Sequence, residues 1–377
     1  MYNPENMKRY LTAVACLAFI LFAEATRAQP ATKPAPAPEP LRLDPRLKQL
    51  PFDHIGPFVE LADGRVLCVT DAAAYVSGDD GKTWESRPVF GDGKMKVRPE
   101  QALVRTKDGT IVLVFLDDLD KRWAWDKKAN THAGDVHLYT YAIRSTDEGK
   151  TWTDLVRVQD GYSGAVRDVI ETESGNLVLP GQKYLTDGYR HATIPYVSTD
   201  KGKTWNATGL LDIGGRGHHD GSIEACVVQL RDKRVWMLLR TNHDYLYESF
   251  SSDEGLSWSP LTATTIDASS SPPIVKRLKS GRLALAWNRL WLDGQTTGVR
   301  RNGPDAAERQ ASWQREELAL AFSDDDGKTW TKPAVIARGK RIAYPYLFER
   351  RPGVLWVTSM QGNLHAELNE ADFVKDK

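Results

Sequence analysis

One short pattern, Ser-x-Asp-x-Gly-x-x-Trp, occurs five times and decides what this chain can fold into. The copies are Ser77-Asp79-Gly81-Trp84, Ser145-Asp147-Gly149-Trp152, Ser198-Asp200-Gly202-Trp205, Ser251-Asp253-Gly255-Trp258 and Ser323-Asp325-Gly327-Trp330. Each carries turn chemistry rather than catalysis. Ser and Asp side chains bond nearby backbone amides, Gly takes positive φ, and Trp packs the turn onto its sheet. Interleaved with these turns are six short apolar pairs flanking a polar turn, at 58–69, 103–115, 169–180, 227–239, 274–287 and 347–359. Each reads as a β-hairpin. In five cases the Asp turn follows the hairpin, so the unit is four strands with a tight turn between the third and fourth. Six such units predict an all-β fold, a six-bladed β-propeller of four-stranded antiparallel blades.

The 50 Lys and Arg residues balance 50 Asp and Glu, so the chain has no electrostatic footprint for nucleic acid or an anionic membrane. Neither is expected as a partner. Residues 1–28 combine Lys8 and Arg9, an apolar run from Tyr10 to Phe22 and small residues ending at Ala25 and Ala28. This order predicts a cleaved export signal and a secreted or periplasmic protein, and the run is too short for a membrane span. Residues 29–41 form a Pro/Ala-rich tether, leaving 42–377 for the propeller. Cys68 and Cys226 lie in apolar runs and read as small buried hydrophobes. No metal-ligand spacing is present, so no metal or cofactor is expected, and the chain is expected to be a monomer.

Topology locates the face that carries function. If strand 1 of each blade runs downward, the hairpin turns and Asp turns lie at the bottom. The top collects the starts of strands 1, the ends of strands 2, the starts of strands 3, and two long insertions at 116–138 and 289–314. Those top positions hold Arg98, Arg167, Asp168, Glu224, Arg240, Arg315 and Tyr344. Arginine pairs bidentately with carboxylates, so a cluster of them predicts an acidic substrate rather than a neutral sugar.

Several of these segments resemble the bacterial exo-alpha-sialidases (neuraminidases), a family with Asp-box (BNR) repeats. Ser222-Ile223-Glu224, with Leu239-Arg240-Thr241 after it, is similar to the family's segment carrying a catalytic Glu and the second arginine of a triad. Arg315 stands at the family's spacing before the last Asp turn, and Ala343-Tyr344-Pro345-Tyr346 resembles the segment of its tyrosine nucleophile. The resemblance implies retaining hydrolysis of terminal sialic acid, or a related acidic sugar, from glycans. In that scheme Tyr344 is the nucleophile, with Tyr346 its neighbouring rival, Glu224 the base, and Arg240 and Arg315 the carboxylate clamp.

Two positions depart from the family's pattern. Where the family opens blade 1 with Arg-Ile-Pro, this chain has His54-Ile55-Gly56-Pro57, and Arg98 is the expected substitute. For the general acid, Asp135 in the first long insertion is favoured, with Asp71 and Asp220 as alternatives. His218 and His219 lie on the same rim. Trp123, Trp125, Trp287 and Trp291 read as sugar-stacking walls or as packing. Two other functions stay open: a glycosidase of the same scaffold acting on another acidic glycoside, and a non-catalytic propeller that binds glycans or proteins.

Overall fold

The computed structural model describes residues 40–91, 93–290 and 311–374. The expected leader, all but the last two residues of the tether, and Trp291 lie outside the described residues. Six antiparallel sheets follow one another along the chain, and the first five are each built from a hairpin and its Asp turn. Blade 1 comprises Phe58–Glu60, Val66–Thr70, Ala73–Ser77 and Glu85–Pro88. Blades 2, 3 and 4 open at Ala102–Arg105, Ile170–Glu171 and Ile223–Gln229. Second strands are the most apolar and lie in the middle of the packing, with every residue of Ile111–Leu116 and Val235–Arg240 buried.

Blades 5 and 6 borrow from the start of the chain. Arg42–Leu43 adds a fifth strand outside Ala334–Arg338 of blade 5. Blade 6, built from Ala343–Arg351, Val354–Gln361 and His365–Asn369, has no Asp turn of its own. Its outermost strand is Lys48–Gln49, which pairs with Glu367 and Ala366 and closes the ring.

The Asp turns are built alike. In each, the Ser hydroxyl accepts the Gly amide at 2.7 or 2.8 Å and donates to the Asp carboxylate. The carboxylate in turn accepts the amide and hydroxyl of the residue four on, as Asp325 does from Thr329 at 2.8 and 2.6 Å. Two successive residues are left-handed: Asp80, Glu148, Lys201, Glu254 and Asp326, each with the Gly that follows. The bare Gly then docks on the preceding blade. A Cβ on Gly149 would stand 2.4 Å from Leu67 of blade 1, and one on Gly327 would stand 2.7 Å from the Trp236 ring of blade 4. The left-handed residue before each Gly staples the same seam. Glu148 accepts the Ala62 amide of the blade 1 hairpin at 2.9 Å, and Asp326 that of Arg231 in blade 4 at 2.8 Å. Lys201 reverses the sign and pairs with Asp108 of the blade 2 hairpin. A local turn motif is thus also the joint between blades.

Among the described residues no helix is long and apolar enough to cross a membrane. Cys68 and Cys226 are free and buried, and burial pushes the Cys226 thiol up to about 12.

Candidate active site

On the opposite face the blades converge on a cavity of about 370 Å³, whose walls include Tyr344, Glu224, Arg240, Arg315, Arg98 and Glu100. Two of these residues stand on strained backbone. Glu224 has φ 51° and Tyr344 has φ 61°, left-handed values that non-Gly residues seldom take. Glu224 sits where the pairing register of its innermost strand breaks, between the Ile223 and Cys226 pairs, whereas the register runs unbroken past Tyr344, from the Ala343 to the Pro345 pair. Neighbours hold these kinks in place. The Glu224 amide donates to Gln182 Oε1 at 3.1 Å, and Gln182 Nε2 lies 3.0 Å from His191 Nδ1. Gly221, at φ +100°, lets the chain pass so close to His191 that a Cβ would stand 1.8 Å from its carbonyl oxygen.

Tyr344 Oη donates to Glu224 Oε1 at 2.8 Å. Arg240 Nη1 donates to Glu224 Oε2 at 2.6 Å and to Tyr344 Oη at 3.2 Å, closing a three-residue network. Burial pushes the Glu224 carboxyl up, but the Arg240 charge and its hydrogen bond outweigh it and hold Glu224 below the usual carboxylate range. Burial and then the Glu224 charge raise the Tyr344 phenol. The resting pair is therefore a neutral phenol against a carboxylate. Arg240 Nη2 and Arg315 Nε are buried without a hydrogen-bond partner. Burial, then the nearby Arg240 charge, brings Arg315 down to about 10, so two guanidinium groups repel each other across the cavity. Unsatisfied donors and uncompensated positive charge together describe a receptor for an anion.

The other expected site residues separate. Arg98 lines the cavity, but its guanidinium is already shared between Asp118 and Glu100. Asp135 is not brought to the cavity. The first long insertion folds into its own small hairpin, Trp125–Asp126 with Thr131–His132, and beyond it the Asp135 side chain stands 74% exposed, 3.0 Å from His137. Asp71 is also outside the cavity lining, 65% exposed and 3.4 Å from Lys96. Asp220 is buried, with its carboxylate accepting the amides of Arg216 and Gly221. Tyr346 is buried and donates to the Pro99 carbonyl at 2.8 Å, so it braces blade 2. Arg167 lies beneath the tyrosines, its guanidinium 4.4 Å from the Tyr346 ring and 5.3 Å from the Tyr344 ring. Trp287 is core, bonded to the Asp267 carbonyl. Trp123 and Trp125 stack at 5.7 Å, and Trp123 lies 4.3 Å from Tyr162 of the cavity wall.

Residues beyond those expected also line the cavity: Glu100, Gln182, His191, Trp313, Arg341 and Gln361. Glu100 and Arg341 had a usable signal, lying two residues from Arg98 and three from Tyr344. The others reach the cavity from mid-strand or from loops without any local pattern. His218 and His219, of the polar rim segment, line it too. Burial drives His191 well below its ordinary value, and burial with His218 and Arg240 takes His219 to about 2, so both imidazoles are neutral.

Residues 70–357 match the BNR repeat-like domain. No curated protein matches the chain. Among solved structures, a protein of unknown function from Dyadobacter fermentans DSM 18053 is similar at TM-score 0.57 and 16% identity, over 86% of this chain and 98% of that one. The Hadza microbial sialidase Hz136 is similar at TM-score 0.59 and 17% identity, over 85% of this chain and 66% of its own. The NanB sialidase from Streptococcus pneumoniae is similar at TM-score 0.55 and 14% identity, over 89% and 71%. At these identities the likeness is one of fold.

Proposed function

The chain belongs to the BNR repeat-like family, with a sialidase-like propeller scaffold, and from the cavity's geometry we propose that it is a retaining exo-alpha-sialidase. Its substrate on this reading is a terminal sialic acid, or a related acidic sugar, on a glycan, and export through the 1–28 leader belongs to the same proposal. The observation that carries it is the 2.8 Å hydrogen bond from Tyr344 to a buried, ionised Glu224 beside two arginines with unused donors. The substrate carboxylate, on the anomeric carbon, would be clamped by Arg240 and Arg315. A carboxylate nucleophile would be repelled by it, whereas a neutral phenol is not. Glu224 takes the phenol's proton as Tyr344 attacks, and Arg240 Nη1, already donating to Tyr344 Oη, stabilises the phenolate when it leaves again.

A second reading is supported by one observation. No arginine opens blade 1, and Arg98 is neutralised by two carboxylates, so the clamp is smaller than a triad unless Arg341, exposed at the cavity rim, completes it. A two-arginine clamp suits an acidic glycoside with a less crowded anomeric centre. Release of fluorophore from aryl glycosides of sialic acid and of uronic acids by the mature chain separates the two. Turnover of the sialoside, lost in Tyr344→Phe and Glu224→Ala, supports the first reading. Turnover of a uronide alone supports the second, and a well-folded chain inert on all of them sinks both.

A further inference from the structure

A retaining mechanism needs an acid to protonate the departing oxygen, and none of the three aspartates singled out from the sequence lines the cavity. We propose, resting on the glycosidase reading above, that Glu100 is the general acid and base. It and Glu224 are the two carboxyl groups of the cavity wall among the described residues, and Glu224 is committed to Tyr344 and Arg240.

The backbone around Glu100 is held from three blades. Arg98 N donates to the Leu116 carbonyl at 3.0 Å, Tyr346 Oη of blade 6 donates to the Pro99 carbonyl at 2.8 Å, and Gln101 Nε2 donates to the Val69 carbonyl of blade 1 at 2.7 Å. Such bracing gives an acid its fixed aim. Glu100 Oε2 is buried and makes no hydrogen bond, although Arg98 Nη2 stands 3.3 Å away. Arg98 is one cation shared between two carboxyl groups, Glu100 and Asp118, and Asp118 takes its closer contact. The buried Glu100 Oε2 is therefore left for a partner that the cavity admits.

In the first step the Glu100 proton passes to the glycosidic oxygen, the bond from the anomeric carbon to that oxygen breaks, and a bond to Tyr344 Oη forms while Glu224 takes the phenolic proton. In the second, the Glu100 carboxylate takes a proton from water, the hydroxide adds to the anomeric carbon, and Tyr344 leaves and recovers its proton from Glu224. Both groups end as they began.

The test compares Glu100→Gln with wild type on two sialosides, sialyllactose with its poor sugar leaving group and an aryl sialoside with a good one. Loss of protonation should lower kcat/KM on sialyllactose by about 10²-fold to 10⁴-fold and on the aryl sialoside by less than about tenfold. An equal loss on both would overturn the assignment and leave Glu100 as a charge partner of Arg98. So would the split appearing in His218→Gln or Asp135→Asn instead. Wild type inert on both sialosides would overturn the sialidase reading, and the acid role with it.

Discussion

The two faces of the propeller use the same unusual backbone and put it to opposite ends. At the Asp turns the left-handed residues are surrounded by completed hydrogen bonds, with Ser, Asp and the following Thr or Ser saturating one another and the Gly packed on the preceding blade. At the cavity, Glu224 and Tyr344 are equally strained, yet beside them Arg240 Nη2, Arg315 Nε and Glu100 Oε2 are left buried without hydrogen bonds. Strain with every polar group satisfied makes a joint. Strain beside orphaned charge makes a binding site, because only a ligand can complete it.

Substitutions can break or sharpen that contrast. The largest effect belongs to the cavity: on the sialidase proposal Tyr344→Phe removes the nucleophilic oxygen, and it should leave the thermal unfolding midpoint nearly unchanged while lowering kcat by at least about 10³-fold. Next is Arg240→Met. It strands Glu224 as an uncompensated buried charge and should destabilise the fold by about 3–5 kcal/mol in denaturant titration. Arg315→Met is the sharper contrast. Its charge is repelled by Arg240 rather than paired, so stability should change by less than about 1 kcal/mol while KM rises by roughly tenfold to a hundredfold, the loss of the one charged hydrogen bond to substrate that the proposed clamp assigns to it. If Arg315→Met unfolds the protein, the cavity is a structural network and the contrast between the faces fails.

On the other face, Gly149→Ala places a Cβ 2.4 Å from Leu67 at φ 75° and should destabilise by about 1–3 kcal/mol with kcat/KM unchanged. The smallest effect is a pH dependence. Hydrogen bonds from the Thr329 side chain and amide lower Asp325 to about 2. An unfolded Asp titrates near ~3.9, so this stabilisation is complete above that pH and is lost as pH falls towards 2. The midpoint of Asp325→Asn should fall less than that of wild type over this window.

What could be read in the chain follows the same division. The Asp turns and hairpins are local, their bonds closing within a few residues, so spacing alone reveals them. Strand ends inherit their position from the repeat, and this is why Glu224, Arg240, Arg315 and Tyr344 could be placed on one face and do meet. Asp135 lies in an insertion whose course no repeat dictates, and the chain there folds back on itself and leaves it exposed beside His137. Gln182 and His191 sit in strands buried for most of their length and reach the cavity through contacts with distant segments, a geometry that periodicity does not carry. Arg98 shows the limit from another side. Its position was legible, but its partner Asp118, twenty residues along, takes up the charge expected for substrate.

The pairing of Lys48 with Glu367 sets the order in which the molecule can be completed. During synthesis the strand that closes the ring is among the first folded segments to emerge, and its partner is among the last. Blades 1 to 5 can form and dock as they appear, but the first blade's outer flank stays open until the final hairpin leaves the ribosome. Contacts between residues so distant in sequence make folding slow. A truncation that removes only the last strand would therefore leave an open arc of blades with two exposed edges, prone to pair with another copy.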